Sequence, residues 1–124
     1  MDSPERGEIW LVDLGYAAKV RPCLVISIPA FEEDRALATL IPHTTSPRGS
    51  RFEVEIRVNF LRAGVFDVQN LITIPHAKLI GKLGSLIPEH LYLTLRSREV
   101  YFATKSINIK GALSGENALR QAKI

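Results

Sequence analysis

Prolines cut the apolar runs of this chain short. The run that opens at Arg21 ends at Pro29, residues 36–41 meet Pro42, and residues 65–74 meet Pro75. Proline has no backbone N–H and cannot sit in the middle of a sheet ladder, so each stop predicts the end of a strand. Between the stops Val and Ile recur, the residue types a pleated, half-buried surface favours. Residues 7–14 read as a first strand carrying the single Trp10, residues 15–20 as a short loop, and residues 21–28 as a second strand. Residues 30–35, with consecutive acids at Glu32, Glu33 and Asp34, form a solvated connection to a third strand over 36–41. Residues 43–50 are rich in Pro, Gly and hydroxyl side chains and predict a loop. Phe52-Glu53-Val54-Glu55-Ile56-Arg57-Val58 alternates apolar with charged, the clearest half-buried strand in the chain. After a turn over 59–64, residues 65–74 supply a fifth strand and residues 78–83 a short sixth. Strands this dense, joined by tight turns, predict a mainly β fold closed into a small, strongly curved barrel.

The C-terminal third supports two answers. Pro88-Glu89 opens like a helix, with proline at the first position and an acid beside it. Leu91-Tyr92-Leu93-Thr94-Leu95 also alternates with period two, as a strand does. Residues 106–124 have little apolar density and read as a loose tail, with a frayed helix over 116–122. A chain of 124 residues closes one core, and we expect a single domain over 1–105 followed by that tail.

Composition narrows the chemistry. One cysteine, Cys23, leaves no partner for an internal disulfide and no Cys-rich zinc site, and it lies in an apolar run where it packs rather than reacts. The three histidines have no ligand spacing, so no metal and no cofactor are expected. The N-terminal residues lack a signal-peptide core and no run spans a membrane, which fits a reducing cytoplasm. A net charge of +3 and a pI near 9.2 mildly favour a polyanionic partner.

Arg21 is the residue with the most to say. It precedes Pro22, which biases it toward extended geometry, and it stands at the mouth of the apolar second strand. Its five donors in a rigid fork match a phosphate or a carboxylate. Alone, it reads better as a surface arginine at a strand start.

Three stretches taken together resemble the MazF/PemK family of toxins from type II toxin–antitoxin modules. They are Gly7-Glu8-Ile9-Trp10-Leu11-Val12-Asp13-Leu14, then Arg21-Pro22-Cys23-Leu24-Val25-Ile26-Ser27, then Ile41-Pro42-His43-Thr44-Thr45 running on into Phe52-Glu53-Val54-Glu55-Ile56. Gly64-Val65-Phe66-Asp67-Val68-Gln69-Asn70 and Lys78-Leu79-Ile80-Gly81-Lys82-Leu83 add to the likeness, which covers about the first two-thirds of the chain. The resemblance implies a compact barrel similar to the SH3-like and CcdB folds, finished by a C-terminal helix. It also implies a cytoplasmic homodimer with single-stranded RNA along the subunit interface. The implied activity is sequence-specific, metal-independent endoribonuclease cleavage, checked by a cognate antitoxin whose complex with the toxin binds DNA. By position, the family's catalytic arginine and threonine fall on Arg21 and Thr44. Two departures stand out. The loop at 15–20 is shorter than in relatives and holds no acid, and the chain from His90 onward does not read as the amphipathic closing helix.

Cleaving RNA without a metal uses the neighbouring 2′-hydroxyl as nucleophile and needs a proton acceptor, a charge stabiliser and a proton donor. Arg21 suits the stabiliser and, because a guanidinium keeps its proton, not the base. Thr44 can hold a phosphate oxygen or orient the hydroxyl. His43 titrates in the right range, yet on extended backbone it should face away from Thr44; the competing reading is an exposed loop histidine. Thr45, Ser46, Arg48 and Arg51 share that loop and can bind phosphates or bases, as can Lys19, or they are simply a hydrophilic hairpin. Gln69 and Asn70 can read base edges or satisfy buried backbone. Trp10, Phe52 and Phe66 read as core, which leaves Tyr16 and Phe31 as the stacking candidates. Two other functions fit the same fold: a CcdB-like toxin that poisons DNA gyrase, and a catalytically silent barrel that binds RNA or protein.

Overall fold

A computed structural model describes residues 3–15 and 19–95. Tyr16, the tail over 106–124 and the frayed helix expected at 116–122 lie outside the described residues. Seven strands run β1 (Glu8–Asp13), β2 (Val20–Val25), β3 (Leu37–Thr44), β4 (Glu53–Val54), β5 (Val65–Asp67), β6 (Ile72–Pro75) and β7 (Leu79–Ser85), and a helix α1 (Pro88–Leu95) follows. Every pairing is antiparallel, in the order β4-β5-β3-β2-β1-β7, with β6 on β3 beside this path.

Alternation along the strands builds two apolar layers. Ile9, Leu24, Ile26, Ile41, Phe66, Val68 and Leu86 form one buried cluster. Val12, Cys23, Val25, Ala38, Leu40, Ile74 and Leu79 form another on the opposite face, covered by half-buried Trp10 and Leu14. Successive residues of β2 and β3 fall into different clusters, so these central strands are buried on both sides and read as continuous apolar runs. Trp10 donates from Nε1 to Glu8 Oε1 at 2.9 Å, and Lys82 Nζ pairs with Glu8 Oε2 at 2.9 Å, which ties β7 to β1.

The third strand does not stop at Pro42; it continues to Thr44. The Ile26 N–H donates to the Thr39 carbonyl at 3.0 Å, so the backbone groups of Thr39, Ile41 and His43 face β2. Those of Leu40, Pro42 and Thr44 face the other edge, where β6 pairs as far as Leu40 and β5 begins at His43. Proline therefore sits where that edge changes partner and no N–H is needed.

Two other strands are shorter than expected. Residues 65–74 are split by a 3-10 turn at Val68–Asn70, which lets the chain leave the end of β3 as β5 and return along its start as β6. Of residues 52–58 only Glu53–Val54 joins a ladder, although Val54, Ile56 and Val58 all pack on the first cluster. The alternation records burial of one face, and residues 55–58 pair with no strand among the described residues.

For the same reason the sheet does not close into a barrel: β4 and β7 are the ends of an open path among the described residues. Side chains bridge the opening instead. The Phe60 ring lies on Gly84 of β7, where an added Cβ would come within 2.6 Å of Cζ. Leu61 packs on the first cluster beside it.

Residues 88–95 are helical, which decides between the two periodicities. Pro88 opens the helix with Glu89 in its first turn, and Leu91 and Leu95, one turn apart, lie on the first cluster. Leu91 comes so close to Gly7, at φ +95°, that a Cβ there would stand 2.9 Å from Leu91 Cδ2.

Candidate active site

The β2–β3 register pairs Val25 with Leu40, Leu24 with Ile41 and Cys23 with Pro42. Arg21 and Thr44 lie two residues beyond the last of these pairs on their own strands. Parity puts both on the face of Cys23, Val25 and Leu40, just beyond the second cluster, together with Leu14 and Ile72. A cleft of about 470 Å³ opens there, lined by Arg21, Pro42, His43, Thr44, Ser46, Arg48, Glu53, Asp67 and Asn70 between the apolar Leu14 and Ile72.

Glu53 organises the loop that closes one side. Its Oε2 accepts the Arg48 N–H at 2.9 Å, and its Oε1 accepts those of Gly49 at 2.9 Å and Ser50 at 3.2 Å. Gly49, at φ +77°, supplies the turn that lets three successive amides converge on one carboxylate. Thr44 Oγ1 accepts the Ser46 N–H at 3.1 Å, which starts the same loop and leaves the hydroxyl proton to donate elsewhere. Asp67 accepts from Asn70 Nδ2 across the 3-10 turn.

His43 is not an exposed loop residue. It lies in β3, is 3% exposed, and packs its ring edge-on against Phe66, its cross-strand partner, at 5.0 Å between centroids. Its Nε2 is buried with no hydrogen-bond partner among the described residues. Desolvation lowers the pKa of the imidazole below its ordinary value, so the ring is neutral at pH 7. His43 and Thr44 stand on opposite faces of β3, as alternation requires, although His43 also borders the cleft.

A second cleft, of about 310 Å³, adjoins the first and shares Arg21 and His43 with it. Its other walls are Val20, Pro22, Thr45, Phe60, Leu61, Arg62 and Leu83. Thr44 lines the first cleft and Thr45 the second.

Arg21, His43, Thr44, Ser46, Arg48 and Asn70, predicted from the sequence, thus meet in one cleft, and Thr45 in its neighbour. Lys19, Arg51 and Gln69 line neither. Lys19, at φ +53°, closes the loop after β1 by accepting the Leu14 N–H, and the Arg51 guanidinium lies 4.9 Å from the centre of the half-buried Phe52 ring. Phe31 is 66% exposed, well away in sequence from the cleft-lining loops. The sequence reading missed Glu53 and Asp67 as site residues. Their signal was parity: Asp67 lies between buried Phe66 and Val68, and Glu53 precedes core-packed Val54. The Cys23 thiol, pushed up to about 12 by burial against a smaller opposing pull from Arg21, is inert packing. No group of three or more His, Cys, Asp or Glu is arranged to hold a metal among the described residues. No helix among them is long and apolar enough to cross a membrane.

The fold is an open antiparallel sheet with this cleft at the β2–β3 mouth. The family model described as PemK-like, MazF-like toxin of type II toxin-antitoxin system matches residues 5–98, and the chain belongs to that family. Among solved structures it is similar to an endoribonuclease in complex with its cognate antitoxin from a Mycobacterial species, at 23% identity and a TM-score of 0.68, covering 84% of this chain and 97% of that one. The Mycobacterium tuberculosis toxin MazF-mt6 shares 26% identity at a TM-score of 0.62, over 79% of this chain and 96% of that one. MazF from Deinococcus radiodurans shares 23% at 0.62, over 91% and 97%. No curated protein sequence matches the chain significantly.

Proposed function

We propose that this toxin is a cytoplasmic endoribonuclease that cuts single-stranded RNA at specific sequences without a metal, acts as a homodimer, and is held inactive by a cognate antitoxin. The observation that carries the reading is the juxtaposition of Arg21 and Thr44 at the mouth of one cleft. In the reaction the 2′-oxygen attacks phosphorus as the bond to the 5′-oxygen breaks. The products are a 2′,3′-cyclic phosphate and a 5′-hydroxyl, and the proton lost from the 2′-hydroxyl is balanced by one gained at the leaving oxygen. Arg21 spreads its donors over the equatorial oxygens as charge builds on them. Thr44 donates its hydroxyl proton to a phosphate oxygen or fixes the nucleophile. Besides its arginines, the ionisable side chains lining the cleft are, among the described residues, His43, Glu53 and Asp67. Both oxygens of Glu53 are committed to backbone amides, which leaves His43 and Asp67 to move protons. Ser46, Arg48 and Asn70 bind the flanking phosphates and bases, and the family's antitoxin covers the same cleft at rest.

The test is cleavage of a long single-stranded RNA in excess EDTA by wild type, Arg21→Ala and Thr44→Ala, with both new ends mapped. Discrete cuts bearing a cyclic phosphate and a 5′-hydroxyl, lost in both variants, are expected. Intact RNA from well-folded wild type would overturn the reading.

A further inference from the structure

A phosphodiester joins two nucleosides, so a residue that grips the phosphate has to stand between two places where nucleosides fit. Arg21 stands in such a position, since it lines both clefts. Their chemistry differs. The first holds two carboxylates, Glu53 and Asp67, with Arg21 and Arg48. Among the described residues the second holds no carboxylate; its charged side chains are Arg21 and Arg62, and the rest of its wall joins apolar Val20, Pro22, Phe60, Leu61 and Leu83 to His43 and Thr45. Phe60 is 37% exposed there, and its ring is fixed from behind by Gly84, where no side chain intervenes. A flat apolar ring held rigid beside two cations is what a base and its phosphate need, because stacking tolerates any base and arginine takes the anion.

We propose that this second cleft is the subsite for the nucleoside on the other side of the scissile phosphate, with the base stacked on Phe60 and its outer phosphate on Arg62. The assignment rests on the ribonuclease reading for its geometry, and it concerns binding, so it is tested separately from cleavage. An RNA strand fits better than an acidic protein segment because the wall offers a ring face and few polar groups for a peptide backbone.

The probes are fully 2′-O-methylated single strands tiled across the RNA used for cleavage, which bind but cannot supply the nucleophile. In the tightest tile each base is removed in turn, and wild type is compared with Phe60→Leu, which keeps apolar cover over Gly84, and with Arg62→Gln. Phe60→Leu is expected to weaken the intact strand by about 5- to 150-fold. At one abasic position that loss should vanish, because the base that stacked is gone, while Arg62→Gln should flatten the salt dependence of binding by about one phosphate contact. A Phe60→Leu loss that is the same at every abasic position would overturn the assignment, as would no loss at all. Dissociation of a wild-type dimer by Phe60→Leu with RNA coupling absent would likewise overturn it and give the cleft to a second copy. Should wild type bind with this coupling yet leave RNA uncut, the base-stacking cleft stands, and its place beside a scissile phosphate falls with the nuclease reading.

Discussion

Arg21 and Thr44 lie two residues past the Cys23–Pro42 pair on β2 and β3, and both line one cleft on the side of the sheet that also carries Val25 and Leu40. Cross-strand neighbours act on one ligand together, so their removal should not be additive. Arg21→Ala and Thr44→Ala are each expected to slow single-turnover cleavage by roughly 10²- to 10³-fold, with the double variant well short of the product. Arg21→Lys should recover little, because a point charge cannot span two phosphate oxygens. A double variant whose loss equals the product of the single losses would show that the two residues act on separate steps.

Much of this arrangement was legible in the residues. The arginine before Pro22 and the Pro42-His43-Thr44 run stand out there, and the family resemblance singled out Arg21 and Thr44, although a strand ending at Pro42 left Thr44 in a loop. Pro42 misled because a proline stop assumes that the strand has one partner on each edge, whereas β3 exchanges β6 for β5 at that residue. Residues 52–58 misled differently. Their alternation reports one buried face, and burial is supplied by the first cluster without a second strand. Closure into a barrel was inferred from strand density, but the gap between β4 and β7 is spanned by Phe60 on Gly84, a contact that no local pattern encodes. Glu53 was hidden because an exposed-looking charge in an alternating run gives no hint that three amides converge on it.

Those three amides make a prediction of their own. Glu53→Ala removes the shared acceptor of Arg48, Gly49 and Ser50, and because the loop is largely exposed, water takes over much of the bonding. The cost should be small, about 1–2 kcal/mol. Cleavage should fall further than that, since Arg48 and Ser46 lose their placement in the cleft. Hydrogen exchange at residues 48–50 should accelerate while β1–β2 amides stay protected. Unchanged exchange in the loop would mean that Glu53 does not organise it.

Gly64 is expected to be intolerant of any side chain. A Cβ there would lie 2.2 Å from the Thr44 carbonyl oxygen and 2.8 Å from His43 Cε1, so backbone or ring has to move. Gly64→Ala should cost about 1–3 kcal/mol in urea unfolding, as overpacking does, and reduce cleavage because Thr44 is displaced. Wild-type stability with wild-type cleavage in this variant would refute the tight packing of Gly64 on β3.

His43 gives the protein a pH dependence whose sign follows from burial. Desolvation lowers its folded pKa, whereas in the unfolded chain the imidazole titrates near about 6.5. Above that value both states are neutral at this ring and the fold keeps its full stability. As pH falls below it, the unfolded state binds a proton that the folded state resists, so unfolding becomes easier until the folded pKa is passed. The urea midpoint should therefore drop between pH 7.5 and pH 5.5, and the His43 ring resonances should titrate with a midpoint below about 6.5. If His43 is also the group that accepts the 2′-hydroxyl proton, the acid limb of the cleavage rate should follow the same midpoint. If Asp67 does that work, the acid limb of the cleavage rate should not follow the His43 midpoint. A His43 that titrates at or above the ordinary imidazole value would remove both expectations.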